Sequence, residues 1–152
     1  MLATADQYVG TPYEWGGETP AGFDCSGFLR YVFRQHGVNL PRTSRQQVNV
    51  GEAVSVLAPA LEIGDLMFFA TDGTRIDHVA MYAGDNRILH SSASGGGVGY
   101  DDLDSRRGRW FADHHVATRR VLEDGRSLVG QLAPGLIRML AELDPPDRAP
   151  RR

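Results

Sequence analysis

The chain of 152 residues contains a single cysteine, no lysine and no apolar run long enough to cross a membrane. One cysteine excludes an internal disulfide, and it leaves the compartment open because a thiol enzyme works outside the cell as well as inside. With lysine absent, all 16 basic residues are arginine, a bias of composition that points to no function. The net charge of -3 gives no reason to expect nucleic acid as a partner. The first residues lack the basic region and apolar core of a signal peptide, so the chain is either cytosolic or has lost a leader or an upstream domain. No internal repeat and no second core pattern is present, and the length suits one domain with a core of its own. Glycine, by contrast, is plentiful at 18 residues, which promises many turns and hairpins.

The sole cysteine stands in Gly22-Phe23-Asp24-Cys25-Ser26-Gly27, directly ahead of a helical pattern. Phe28, Leu29, Val32 and Phe33 share one helix face, which predicts a helix from about Cys25 to about His36 with Gly37 as its stop. A cysteine in the first turn of a helix faces backbone N–H groups and the positive end of the dipole, which favour a thiolate. The other reading is a small buried apolar residue that reacts with nothing. Asp24 complicates the first reading, because an adjacent carboxylate opposes ionisation of a thiol. It therefore needs another task, either capping the helix or holding a cation such as a substrate ammonium.

Along the rest of the chain, Leu2–Val9 reads as a short helix ending at Gly10. The turn-rich stretch Thr11–Gly17 carries Tyr13 and Trp15; Trp15 is expected in packing, and Tyr13 either in packing or as a cleft wall. A second helix is predicted over Ser44–Val50, with Thr43 or Ser44 as its cap. His36 suits a helix C-terminus and reads as structural. Strands are predicted at Ala53–Val56, Asp65–Ala70, Asp77–Ala83, Arg87–Ser92 and His115–Leu122. Ser94–Gly97 reads as a flexible loop without the trailing Lys of a phosphate cradle, and Asp101–Arg109 as a charged, solvated turn. Trp110 and Phe111 are expected to return the chain to the core, with the neighbouring His114 and His115 structural or exposed. Beyond the domain at residues 1–122, an extension over 123–143 carries a predicted short helix at Pro134–Leu143. Its stripe of Leu136, Ile137, Leu140 and Leu143 is expected to dock on this domain, with cover for a cleft or an oligomer contact as further roles. Residues 144–152, rich in Pro and Arg, are expected to be disordered.

Two of the histidines permit a geometric test. His78 and His90 sit symmetrically about Gly84, within a turn signal of Gly84-Asp85-Asn86. A connecting loop with an odd number of residues puts both side chains on one sheet face, with Cβ atoms roughly 4.5–8 Å apart. An even loop separates them. Same-face histidines with a thiol nearby make a nucleophilic arrangement: Cys25 as nucleophile, His78 as base, and His90 holding the tautomer of His78. The backbone N–H of Cys25 and the Tyr13 hydroxyl are the candidate oxyanion donors, each worth roughly 2.7–4 kcal/mol.

Gly10-Thr11-Pro12-Tyr13, Trp15-Gly16-Gly17, Gly22–Gly27, Leu40-Pro41-Arg42-Thr43-Ser44, Gly64-Asp65-Leu66, Asp77-His78-Val79 and His90 occur in this order. Together they resemble the NlpC/P60 cell-wall peptidases, and the resemblance runs from about Leu2 to Leu122. It implies a papain-like α+β fold, in which a Cys-bearing helix packs on a central antiparallel sheet of about five to six strands that carries both histidines. It implies cleavage of peptidoglycan stem peptides, typically between γ-D-glutamate and diaminopimelate or Lys. The family's Cys-His-His falls on Cys25, His78 and His90, and its active-site Tyr on Tyr13. Asp24, Ser26 and Ser44 would contact substrate near the γ-D-glutamate. No metal or other cofactor is implied, and a monomer in the cell envelope or outside the cell is expected. Many members carry SH3-like wall-binding domains that complete the substrate pocket, and none is visible in this sequence.

Three rival readings remain. Cys25, His78 and His90 with an open fourth position are a possible zinc set. A papain-like amidase or lipid acyltransferase would use the same thiol on another acyl group. A catalytically silent wall-binding module would keep the fold alone.

Overall fold

The computed structural model describes residues 1–55 and 61–130. The expected helix at Pro134–Leu143, the tail at 144–152 and the end of the expected strand at Val56 lie outside the described residues. The chain opens with α1 (Leu2–Asp6), the short strands β1 (Glu18–Thr19) and β2 (Gly22–Phe23), α2 (Cys25–Arg34) and α3 (Ser44–Gln47). Strands β3 (Glu52–Ala53), β4 (Leu66–Phe69), β5 (His78–Gly84), β6 (Arg87–Ser92) and β7 (Gly97–Asp102) follow. Then come α4 (Arg106–Asp113), β8 (His115–Arg120) and a small hairpin of β9 (Leu122–Glu123) and β10 (Arg126–Ser127).

The fold is α+β. Six strands form one antiparallel sheet in the order β3-β8-β4-β5-β6-β7, with helices on both sides. The sequence of β4, Leu66-Met67-Phe68-Phe69, shows why both faces need cover: all of it is buried, so alternate side chains enter two cores. Leu66 and Phe68 join Val79, Met81 and Leu89 beneath Phe28, Leu29, Val32 and Phe33 of α2. Met67 and Phe69 join Ala80 and Ile88 against Phe111 of α4.

The start of α2 is fixed by Asp24, whose carboxylate accepts the Gly27 N–H at 2.7 Å. Position 27 itself requires glycine. A Cβ there would lie 2.1 Å from the Gly17 carbonyl oxygen, so the turn Trp15-Gly16-Gly17 can press against the first turn of the helix.

Several expectations are corrected. The first helix stops at Asp6, the helix after Thr43 stops at Gln47, and α2 ends at Arg34, with turn residues running on to Gly37. Trp15 is 49% exposed and does not serve core packing. The largest difference concerns Asp101–Arg109, expected as a solvated turn. Asp101 lies within β7, and Ser105 caps α4 by accepting the Gly108 N–H. Glycine weakens strand patterning, and the glycines at 95–97 and 99 hide β7 from a reading by periodicity. The expected loop at Ser94–Gly97 accordingly ends where β7 begins.

Candidate active site

The body of α2 packs on one face of the sheet, and the expected catalytic pair lies on the other. Tyr82 pairs with Ile88, leaving the odd stretch 83–87 between them. The turn residues Asp85 (φ 51) and Asn86 (φ 59) adopt the left-handed conformation that a right-twisted hairpin requires. His78 and His90 therefore share a face as diagonal neighbours, and their rings meet with Nε2 of His78 2.7 Å from Nδ1 of His90. Phe111 lies against both rings, at centroid distances of 5.1 and 4.9 Å, and Phe69 lies 5.7 Å from His78.

The thiol lies beside the residue that precedes the strand carrying His78. Cys25 is the first residue of α2, and its Sγ lies 3.9 Å from the carbonyl oxygen of Asp77, the residue before His78. The other ring nitrogen of His78, Nδ1, is buried and makes no hydrogen bond with the protein. An orphaned buried nitrogen calls for an explanation. With Nε2 committed to His90, Nδ1 is the atom left to exchange a proton with a thiol or a substrate.

Burial sets the charge state of the pair. Desolvation pushes the pKa of His78 well below its ordinary value, and the neighbouring His90 pushes it further. Desolvation also lowers that of His90, against the opposing pull of Asp101. Both imidazoles are consequently held neutral, which suits a base waiting for a proton. A set of zinc ligands would need their lone pairs to converge on one ion, whereas here the two facing nitrogens bond to each other.

Asp101 supplies a member that the sequence reading missed. It receives Nε2 of His90 at 2.7 Å and is itself gripped by Arg107, with Nε on Oδ1 at 3.0 Å and Nη2 on Oδ2 at 3.2 Å. Burial alone would raise its pKa, but hydrogen bonds from His90 and Arg107 outweigh that and bring it to about 2. The register of β6 and β7 brings it there: His90 lies opposite Gly99, so Asp101 is the next side chain along the same face.

The remaining expected site residues gather on the Cys25 side. Asp24, fully buried, binds Arg42 through both carboxylate oxygens at 3.1 and 2.7 Å. The Ser26 hydroxyl joins them, donating to Asp24 at 3.3 Å and accepting from Arg42 at 2.9 Å. Ser44 is buried at the first position of α3, and Thr43 is the cap that accepts from the Gln46 N–H. Tyr13 forms a bridge with Phe23, two residues before Cys25, and its hydroxyl is buried. His36 bonds to Thr4 and His115 to Thr118.

The model of the NlpC/P60 family matches residues 10–120. The chain is 39% identical over 124 residues to a bifunctional muramidase/DL-endopeptidase, CwlT, of Bacillus subtilis, covering 80% of this chain and 36% of that protein. It is 42% identical over 93 residues to a γ-D-glutamyl-L-lysine dipeptidyl-peptidase of Bacillus cereus, covering 60% of this chain and 27% of that one. Among solved structures, the NlpC/p60 domain of the peptidoglycan hydrolase SagA superposes with a TM-score of 0.65 at 35% identity, covering 78% of this chain and 94% of that domain. The chain thus spans roughly a third of the length of these curated relatives, 36% and 27%. With the family model matched over residues 10–120 and a relative 39% identical across 80% of this chain, the chain belongs to the NlpC/P60 family.

Proposed function

We propose that this protein is a cysteine endopeptidase that hydrolyses peptidoglycan stem peptides at the bond between γ-D-glutamate and diaminopimelate or Lys. The observation that carries the reading is the His78–His90 hydrogen bond, which leaves Nδ1 of His78 as the proton acceptor at the end of the sheet where Cys25 stands. The names of the relatives supply the substrate class: one is called a DL-endopeptidase and another a γ-D-glutamyl-L-lysine dipeptidyl-peptidase. A substrate of the wall implies work at the cell envelope. Among the described residues no helix is long and apolar enough to cross a membrane.

In the reaction, His78 Nδ1 takes the thiol proton and Cys25 Sγ attacks the γ-carbonyl carbon. The tetrahedral oxyanion is held by the backbone N–H of Cys25, in the first turn of α2 and ahead of the intrahelical ladder, and by the Tyr13 hydroxyl. The imidazolium of His78 then protonates the leaving amine, the C–N bond breaks, and a thioester remains. Water, deprotonated by the same imidazole, releases the γ-D-glutamyl acid and restores the thiol. Asp24 and Ser26 hold the start of α2, and with Ser44 they border the acyl side of the scissile bond.

The test is mass spectrometry of L-Ala-γ-D-Glu-diaminopimelate, and of intact cross-linked peptidoglycan, after incubation with wild type and Cys25→Ala. Cleavage by the wild type alone establishes the reading and names the bond. Uncut peptide and uncut wall with a folded wild-type protein would overturn it in favour of acyl transfer or silent wall binding.

A further inference from the structure

A neutral histidine has one donor and one acceptor nitrogen, so a chain of two histidines transmits a choice made at its far end. At that end stands Asp101. Doubly bonded by Arg107, its carboxylate is ionised and can only accept. His90 must therefore carry its proton on Nε2, which leaves Nδ1 as acceptor. His78 in turn must donate from Nε2, which leaves the lone pair on Nδ1. One carboxylate thus fixes the protons of two rings. Were His90 to take the other tautomer, it would donate to His78, whose proton would move to Nδ1 and block acceptance from the thiol.

We propose that Asp101 is a positioning residue of this site, acting through His90 to hold His78 in the tautomer whose Nδ1 is basic, with Arg107 as its clamp. The proposal rests on Cys25–His78 as the reacting pair, but its tests do not require the peptide substrate. Arg107 is well placed for the task. It also reaches Ser94 Oγ at 2.9 Å and Ser92 Oγ at 3.3 Å, and it borders an open cavity of about 280 Å³ beside His90. The titratable and charged groups around the histidine pair are Cys25 from α2, Asp77 at the head of β5, Asp101 from β7, Arg107 from α4, and His115 from β8 across Phe69.

An ion pair that merely ties β7 to α4 would be loosened alike by the loss of either partner. The relay predicts opposite effects. The charge of Asp101 favours the imidazolium of His78 and that of Arg107 disfavours it. The experiment measures the pH dependence of Cys25 alkylation by iodoacetamide, together with the ¹⁵N tautomer signals of both histidines. In Asp101→Asn, whose side-chain amide can accept or donate, mixed tautomers are expected. The alkylation profile should move to higher pH by about one unit, roughly tenfold slower at a fixed acidic pH. Arg107→Gln should move the profile to lower pH, and Asp101→Glu should restore most of the wild-type tautomer. On the peptide, kcat of Asp101→Asn should fall by about tenfold with little change in KM, the same factor as the one-unit shift. Wild-type tautomers and profile in a folded Asp101→Asn, or shifts of one sign in both variants, would overturn the proposal. Should Asp101→Asn not fold, Arg107→Gln decides alone: a downward shift supports the relay, and an unmoved or upward one overturns it.

Discussion

Two Asp–Arg pairs stand in the candidate site, alike in chemistry and unlike in use. Asp24 and Arg42 are almost wholly enclosed, with side chains 0% and 9% exposed; Asp101 and Arg107 are 14% and 40% exposed. At Asp24, one oxygen takes the Gly27 N–H, the Ser26 hydroxyl and Arg42, and the other takes Arg42 again. Its bonds go to a helix start, a hydroxyl and a guanidinium, so that pair fixes where backbone and side chains stand. At Asp101, one oxygen takes an imidazole N–H, so that pair fixes where protons stand. A charge beside a nucleophile can serve geometry or protonation, and its bonding partners tell which.

The comparison is broken most strongly by removing each arginine in turn. Arg42→Met leaves Asp24 charged, buried and without its guanidinium, which should cost about 3–5 kcal/mol in urea unfolding. The double variant Arg42→Met with Asp24→Asn should recover part of that loss, because the stranded charge is gone. If Arg42→Met unfolds at the wild-type urea concentration, Asp24 is not the buried anion described.

Acid should find the weakness of the other region. His78 and His90 have folded pKa values below the ordinary 6.5, so near and below that pH the unfolded chain binds more protons than the folded one. Stability is thus fully present above pH 6.5 and lost as pH falls below it, at most about 1.4 kcal/mol per pH unit for each histidine held neutral. Cys25→Ala removes the thiol's own titration and is the variant in which to measure it. Melting temperatures flat from pH 7 down to 5 would contradict neutral burial of the pair.

Much of the Cys25 side was legible in the sequence, because its parts are local. The apolar spacing of Phe28, Leu29, Val32 and Phe33 marks α2, and the cap lies one residue before the cysteine. His78 and His90 were found because a hairpin makes sequence symmetry into spatial symmetry. The Asp101–Arg107 pair was not legible. Asp101 meets His90 only through the register of β6 and β7, and Arg107 meets Asp101 only because α4 folds back on β7. Charged residues on a glycine-rich strand and a short polar helix look like solvated loop until that register is known.

The return of α4 depends on one close approach. A Cβ on Gly108 would lie 1.7 Å from the backbone carbonyl oxygen of Asp102, so Gly108→Ala must move the helix that carries Arg107. About 1–3 kcal/mol of stability should be lost, as for other overpacked contacts, with the alkylation profile shifting as it does without the clamp. A Gly108→Ala protein of wild-type stability would mean that α4 is free to slide on β7.

The smallest effect on stability discriminates the two pairs most sharply. Arg107 is 40% exposed and water can replace much of what it gives Asp101, so Arg107→Met should cost no more than about 1 kcal/mol. The same substitution type at position 42 is expected to cost several times as much, although both arginines grip an aspartate through both oxygens. Function should rank the other way for the proton: Arg107→Met moves the pH profile of Cys25, because its charge opposes the imidazolium of His78. A loss at Arg107 as large as that at Arg42 would make both pairs structural pillars. A small loss with a shifted profile leaves one pair holding the chain and the other holding the proton.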